Sequence, residues 1–204
     1  MRKPILVGIT GGSASGKSRL AGYLCKRLGK RAAVFCMDWY YRDHSDKSEA
    51  EAQKLNFDHP RAIETPLFLE HLRRLRRGEA VDAPTYRYST HSRTGELRRI
   101  EPASVILIDG LFVLCDPRVR AQLDLAVYID VPADERLVRR VRRDVAERGV
   151  GLEETLRLYE HCVRPMHLRF IGPSAKQADL VWKQMEDRGF KKRLFERISL
   201  ALRK

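Results

Sequence analysis

The chain is short of the residues that would point to most other protein classes. Asn56 is its only asparagine, so no Asn-Lys-x-Asp guanine-reading motif can exist and a GTPase reading is disfavoured. The four cysteines, Cys25, Cys36, Cys115 and Cys162, stand apart, with no Cys-x-x-Cys pair and no ladder of histidines beside them. That spacing argues against a zinc site or a disulfide scaffold. It suits a reducing cytoplasm, with the cysteines serving as small buried hydrophobes. No apolar run approaches the ~20 residues that cross a bilayer, and the amino terminus runs straight into an apolar strand, so neither a membrane span nor a signal peptide is expected. Repeats, low-complexity tracts and obvious domain linkers are missing. Acidic residues are scarce: 27 Asp and Glu face 40 Lys and Arg, a formal charge of +13. Such an excess suits nucleic acid, an anionic surface or small anionic substrates.

The 204 residues, 43% hydrophobic, suffice for a large core in a single domain, 1–204. The most specific stretch is Gly11-Gly12-Ser13-Ala14-Ser15-Gly16-Lys17-Ser18. It fits the phosphate-binding P-loop template, a glycine and four residues followed by Gly-Lys-Ser. Its context fits as well. Pro4–Thr10 reads as a buried strand, and Leu20, Leu24 and Leu28 mark an amphipathic helix that stops at Gly29. A loop of small residues lets backbone N–H groups converge on a phosphate, and the helix start behind them adds partial positive charge. Lys17 is placed to reach the outer phosphates of a nucleotide, and the Ser18 hydroxyl to ligate magnesium.

Four further apolar runs follow: Ala32–Met37, Ser104–Ile108, Leu125–Ile129 and Ala178–Trp182. Alternation with helical patterns implies an α/β fold, a five-stranded parallel sheet flanked by helices. Ligands of such sheets sit outside the carboxyl ends of the strands. Asp38 and Asp109 each close an apolar run, which makes them candidates for chemistry, with helix capping as the plain alternative. Asp109 after Val-Ile-Leu-Ile matches the Walker-B pattern, a carboxylate delivered near the metal. Asp38, ahead of Trp39, Tyr40 and Tyr41, has the place of a base for an attacking hydroxyl.

Pro66–Arg77 reads as a helix with Leu69, Leu72 and Leu75 inward and its arginines solvated. Residues 79–100 break the α/β rhythm and read as an inserted β-hairpin, strands Thr85–Thr90 and Leu97–Ile100, with Tyr86 and Tyr88 on one face. Residues 133–165 read as an arginine-rich helical lid. There Leu137, Val141 and Val145 form the expected core stripe, and Arg136, Arg140 and Arg143 a separate basic face that can steady a transferring phosphoryl group. Phe190, Leu194, Ile198 and Leu202 mark a terminal amphipathic helix.

Taken together, Gly8–Ser18, Asn56-Phe57-Asp58-His59-Pro60, Pro84-Thr85-Tyr86 through His91-Ser92-Arg93, and Arg139–Asp144 through Glu147-Arg148-Gly149 resemble the uridine kinase (uridine–cytidine kinase) family of P-loop kinases. The resemblance implies that ATP, with Mg2+, phosphorylates the ribose 5′-hydroxyl of uridine, and also of cytidine, in pyrimidine salvage. It implies Asp38 as general base and Asp58 as the holder of the ribose hydroxyls. Tyr86 and His91 would read the pyrimidine edge, with Tyr88 packing around it. Arg140 falls at the substrate site, and Arg143 and Arg148 are lid arginines gathering phosphates. It also implies a homotetramer.

Departures from the family pattern are local. Asp109 stands where glutamate is frequent, Arg87 where aspartate is common, and Leu158 where some members carry glutamine. Trp182-Lys183-Gln184-Met185 replaces a Pro/Gly-rich continuation. Two other readings stay open at this point. One is a phosphoribulokinase-like kinase acting on a sugar phosphate. The other is a basic nucleic-acid-binding protein, which the lack of any recognised nucleic-acid module disfavours.

Overall fold

The computed structural model describes residues 3–48, 51, 55–88, 90 and 92–203. In chain order the strands are β1 (Ile5–Gly11), β2 (Ala32–Cys36), β3 (Val81–Arg87), β4 (Ser92–Ile100), β5 (Val105–Asp109), β6 (Leu125–Asp130) and β7 (Leu180–Lys183). The helices are α1 (Lys17–Leu28), α2 (Thr65–Arg76), α3 (Pro117–Arg120), α4 (Ala133–Arg148), α5 (Leu152–Leu158) and α6 (Phe190–Ala201). Five strands form one parallel sheet in the order β2-β5-β1-β6-β7, as expected from the alternation of apolar runs and helices.

The sheet is covered on both faces because its strands are apolar on both. On one side Phe35, Ile106 and Ile108 pack against Phe68, Leu72 and Leu75 of α2. On the other, Val7, Ile9 and Leu107 pack against Leu20, Leu24 and Leu28 of α1 and Phe190, Leu194 and Ile198 of α6. The alternation of 105, 107 with 106, 108 is the two-residue period of a strand.

The register decides where the chain's polar residues end up. Ile9 pairs with Asp109, and Asp109 with Cys36, so β1, β5 and β2 finish at one level. The phosphate-loop stretch, Asp109 and the turn carrying Asp38 therefore leave the sheet side by side. That turn (Met37–Tyr40) buries Met37 and Tyr40 completely or nearly so, and the Tyr40 hydroxyl lies 2.7 Å from His71 Nδ1. Its two apolar anchors hold the intervening Asp38 at the surface of the core.

The hairpin differs from the sequence expectation at its boundaries. β3 begins at Val81 rather than Thr85, and β4 at Ser92 rather than Leu97. Pro84 hid the earlier start, since proline lacks a ladder N–H. Here it sits beside a register shift between Pro84 and Tyr86 that accommodates it.

The α4 expectation is overturned. Its buried residues are Arg136, Arg140 and Asp144, while Val145 is 45% exposed. The helix lies on the polar end of the sheet, where arginine stems with a buried carboxylate partner fill the contact that aliphatic side chains would fill elsewhere. Arg76, expected to be solvated, grips Asp124 with two bonds of 2.6 and 2.9 Å. After α5 the chain continues through two wide helical turns, Tyr159–Val163 and His167–Ile171, on either side of Arg164–Met166.

Phe68 is fully buried, stacked on Phe35 at 5.0 Å and edge-on to Tyr40 at 5.2 Å. Phe68→Ala is expected to cost about 3–5 kcal/mol, read as a lower denaturant midpoint at unchanged slope, with Phe68→Leu losing much less.

Candidate active site

The loop between β1 and α1 has the backbone of an anion cradle. Gly11 and Gly16 take φ of +150 and +91, and Ala14 is the one non-glycine with positive φ, +61, among the described residues. A Cβ on Gly11 would lie 2.5 Å from the Ile129 carbonyl oxygen, so a side chain there is barred by main chain that cannot yield. The Ser15 N–H donates to the Gly12 carbonyl at 3.1 Å and closes the turn. Lys17 is buried, its Nζ donating to the carbonyls of Gly11 and Gly12 at 3.2 and 3.0 Å. Burial pushes its ammonium below the usual lysine range, opposed by the charges of Asp38 and Asp109.

Two carboxylates face this cradle. The Ser18 hydroxyl donates to Asp109 Oδ2 at 2.6 Å, while Asp109 Oδ1 is buried with no hydrogen-bond partner. A hydroxyl and a carboxylate with a spare buried oxygen are the hard donors that suit a magnesium ion carrying nucleotide phosphates. No cluster of three or more His, Cys, Asp or Glu that could hold a metal by itself occurs among the described residues.

Asp38 receives the Tyr88 hydroxyl on Oδ2 at 3.3 Å and leaves Oδ1 buried and unpartnered. Burial pushes its carboxyl up to about 6, against the pull of Lys17. A carboxylate held near neutrality with one free oxygen is a proton acceptor in waiting.

The aromatic walls come from two segments, the turn after β2 and the end of β3. Tyr41 lies against Tyr86 at 5.1 Å and Tyr88 at 6.4 Å, and the last two are 5.6 Å apart. Tyr86 and Tyr88 do share a face, and the Tyr86 hydroxyl is buried without a partner. Of the aromatic run after Asp38, Tyr40 serves the core, Tyr41 lines this cleft, and Trp39 sits beneath the Arg98 guanidinium at 4.8 Å. Arg93 fixes the hairpin over the cleft through Glu64 at 2.6 Å and the Tyr41 carbonyl at 3.2 Å.

The basic helix closes the remaining side. Asp144, 3% exposed, gathers Arg140 at 3.1 Å, Arg143 at 2.8 Å and Arg148 at 3.6 Å. Arg140 also donates to the Ser13 hydroxyl at 3.0 Å, and Arg148 lies 4.5 Å over the Tyr88 ring. Arg136 donates to the Val131 carbonyl at 3.1 Å, and its guanidinium stands 2.6 Å from where a Gly12 Cβ would be. Burial raises the Asp58 carboxyl, with Arg140 the first of the cations that oppose the rise.

Lys17, Ser18, Asp38, Asp109, Tyr86, Tyr88, Asp58, Arg140, Arg143 and Arg148 thus converge on one cleft. His91 lies outside the described residues. Arg87 is exposed. Arg136 was read on the basic face, whereas Asp144 and Gln184 were missed by sequence reasoning. The one acid directly after the run Arg139–Arg143 was the available signal for Asp144, whereas nothing local marks Gln184.

Comparison with known proteins now decides the class. Residues 6–190 match the model of the phosphoribulokinase / uridine kinase family. The chain belongs to that family. It is 41% identical to the uridine kinase of Clostridium tetani, covering 88% of this chain and 87% of that protein. It is 42% identical to the uridine kinase of Escherichia coli, covering 87% and 85%. Among solved structures, phosphoribulokinase from Rhodobacter spheroides aligns with a TM-score of 0.64 at 18% identity, over 87% of this chain and 68% of that one. At that identity the likeness speaks for the fold alone. As in other members of the phosphoribulokinase / uridine kinase family, the phosphate loop makes this a nucleotide-using kinase. No helix among the described residues is long and apolar enough to cross a membrane.

The Asp38 carboxylate, one of its oxygens buried without a partner, should tax stability. Its folded value, about 6, lies above the ordinary 3.8, so ionisation costs folding energy above about pH 6 and nothing below about pH 4. Asp38→Asn is therefore expected to be more stable than the parent at pH 8, by on the order of 2 kcal/mol, the advantage vanishing near pH 4. Denaturant unfolding at the two pH values checks this.

Proposed function

We propose that the protein is a uridine kinase that transfers the terminal phosphoryl group of ATP to the ribose 5′-hydroxyl of uridine, and of cytidine, in pyrimidine salvage. The observation that carries this reading is Asp38: a carboxylate with a free oxygen, held near neutrality, opposite the phosphate-loop lysine. Curated uridine kinases at 41% and 42% identity over most of the chain support the acceptor.

In this reading Asp38 Oδ1 accepts the proton of the 5′-hydroxyl. The ribose oxygen bonds to the γ-phosphorus, and the bond from that phosphorus to the bridging oxygen breaks, giving ADP. Lys17 leaves the loop carbonyls for the outer phosphates, and Arg143 and Arg148 offset charge on the transferring group. Backbone N–H groups of Gly11–Ser18 hold the β- and γ-phosphates. Ser18 and Asp109 are the residues that would hold Mg2+, which neutralises phosphate charge when bound. Asp58 takes the ribose hydroxyls beside Arg140, and Tyr86 and Tyr88 flank the flat base, with His91 completing the edge. The homotetramer implied by the family resemblance, and the cytoplasmic location that the isolated cysteines suit, belong to the same proposal.

The test is a coupled ADP-release assay with ATP and magnesium across uridine, cytidine, ribulose 5-phosphate and glycerate. Turnover with the two nucleosides alone is expected; preference for a sugar phosphate would reassign the acceptor. Asp38→Asn is expected to abolish turnover while ATP still binds, and retained turnover would remove Asp38 as base. Because the base must be ionised, kcat/KM for uridine is expected to fall as pH drops through about 6.

A further inference from the structure

Gln184, just past β7, belongs to none of the groups that grip the acceptor or the metal, yet it is tied to the phosphate loop. Its Nε2 donates to the Ser15 carbonyl at 3.1 Å. Its Oε1 accepts from Arg139 Nη1 of α4 at 2.6 Å. Its own N–H donates to the Asp130 carbonyl at 3.0 Å, which anchors it to the end of β6. The amide can face only one way: a guanidinium has donors alone, so Oε1 must meet Arg139 and Nε2 must meet the loop.

The consequence lies in the peptide plane. A trans peptide sets its C=O and the next N–H in opposite directions, and no cis peptide occurs among the described residues. Holding the Ser15 carbonyl outward, toward β7, turns the Gly16 N–H the other way, toward the inside of the loop. The loop needs an outside tie here, because Ala14 and Gly16, on either side of Ser15, both have positive φ. An isolated loop has no helical ladder to choose that peptide's orientation.

We propose that Gln184 is a positioning residue for the donor nucleotide: it orients the Gly16 N–H toward the phosphates and, through Arg139, couples that orientation to the arginine-bearing helix α4. The same helix carries Arg140, Arg143 and Arg148, so the loop's grip and the placement of those cations are set together. Arg139 has little freedom of its own, being held by Glu135 at 3.7 Å and by Met185 Sδ at 3.7 Å. The inference rests on the nucleotide-binding role of the loop and is independent of which hydroxyl accepts the phosphoryl group.

The test uses the full chain with magnesium-ATP as probe, by calorimetric binding and by separate KM values for ATP and uridine. Gln184→Ala is expected to weaken ATP binding and raise the KM for ATP about three- to tenfold, the scale of one lost hydrogen bond. The KM for uridine and the melting temperature should stay near the parent values. Gln184→Glu keeps an acceptor for Arg139 but sets a carboxylate against the Ser15 carbonyl, so its ATP affinity should fall at least as far. Arg139→Ala should weaken ATP binding less than Gln184→Ala, and the double variant should be no worse than Gln184→Ala alone. Unchanged ATP affinity in Gln184→Ala would overturn the proposal. So would a loss matched by equal losses in uridine binding and melting temperature, which would make Gln184 merely structural. A dead Asp38→Asn beside a Gln184→Ala with unchanged ATP affinity would sink this inference and spare the assignment of the base.

Discussion

Parallel pairing is the constraint on which everything else rests. Because β1, β5 and β2 run the same way and end in register, all three deliver their following residues to one edge of the sheet. Lys17, Asp109 and Asp38 come from points far apart in sequence and meet there without any contact among the loops having to select them. An antiparallel arrangement of the same strands would have sent one of the three to the opposite end. The apolar anchors on either side of each polar group, Ile108 before Asp109 and Met37 and Tyr40 around Asp38, convert burial energy into placement of charge.

Placement alone leaves an electrostatic debt, and the site handles it with counter-charges held in reserve. Lys17 is desolvated but faces two carboxylates, and its donors rest on loop carbonyls. Asp144 does the corresponding service for Arg140, Arg143 and Arg148, keeping three cations within one helical face that would otherwise repel one another. Part of the large positive charge of the sequence is therefore built into the polar end of the sheet. An anionic substrate replaces the temporary partners with its own oxygens and meets groups already aimed.

Much of this was legible in the sequence because it is written locally. Gly11–Ser18 carries its spacing within eight residues, and Asp38 and Asp109 each stand at the end of an apolar run. The sheet followed from runs of the right length, although β3 was read as starting four residues late because Pro84 masked its first half. The helix α4 was misread for a physical reason. Periodicity assigns buried faces by hydrophobicity, and here the buried face is Arg136, Arg140 and Asp144. A buried ion network has the same sequence signature as a solvated charged face, so only the tertiary setting separates them. Gln184 was illegible for a similar reason: its partners are 169 and 45 residues away.

The most direct measurement of the central claim is a crystal structure of the protein with uridine and a non-hydrolysable ATP analogue. The account predicts the ribose 5′-hydroxyl within about 3 Å of Asp38, in line with a γ-phosphate that has drawn the Lys17 ammonium off the loop carbonyls. A ribose bound elsewhere, with Asp38 still engaged only by Tyr88 and its other oxygen facing protein, would contradict it.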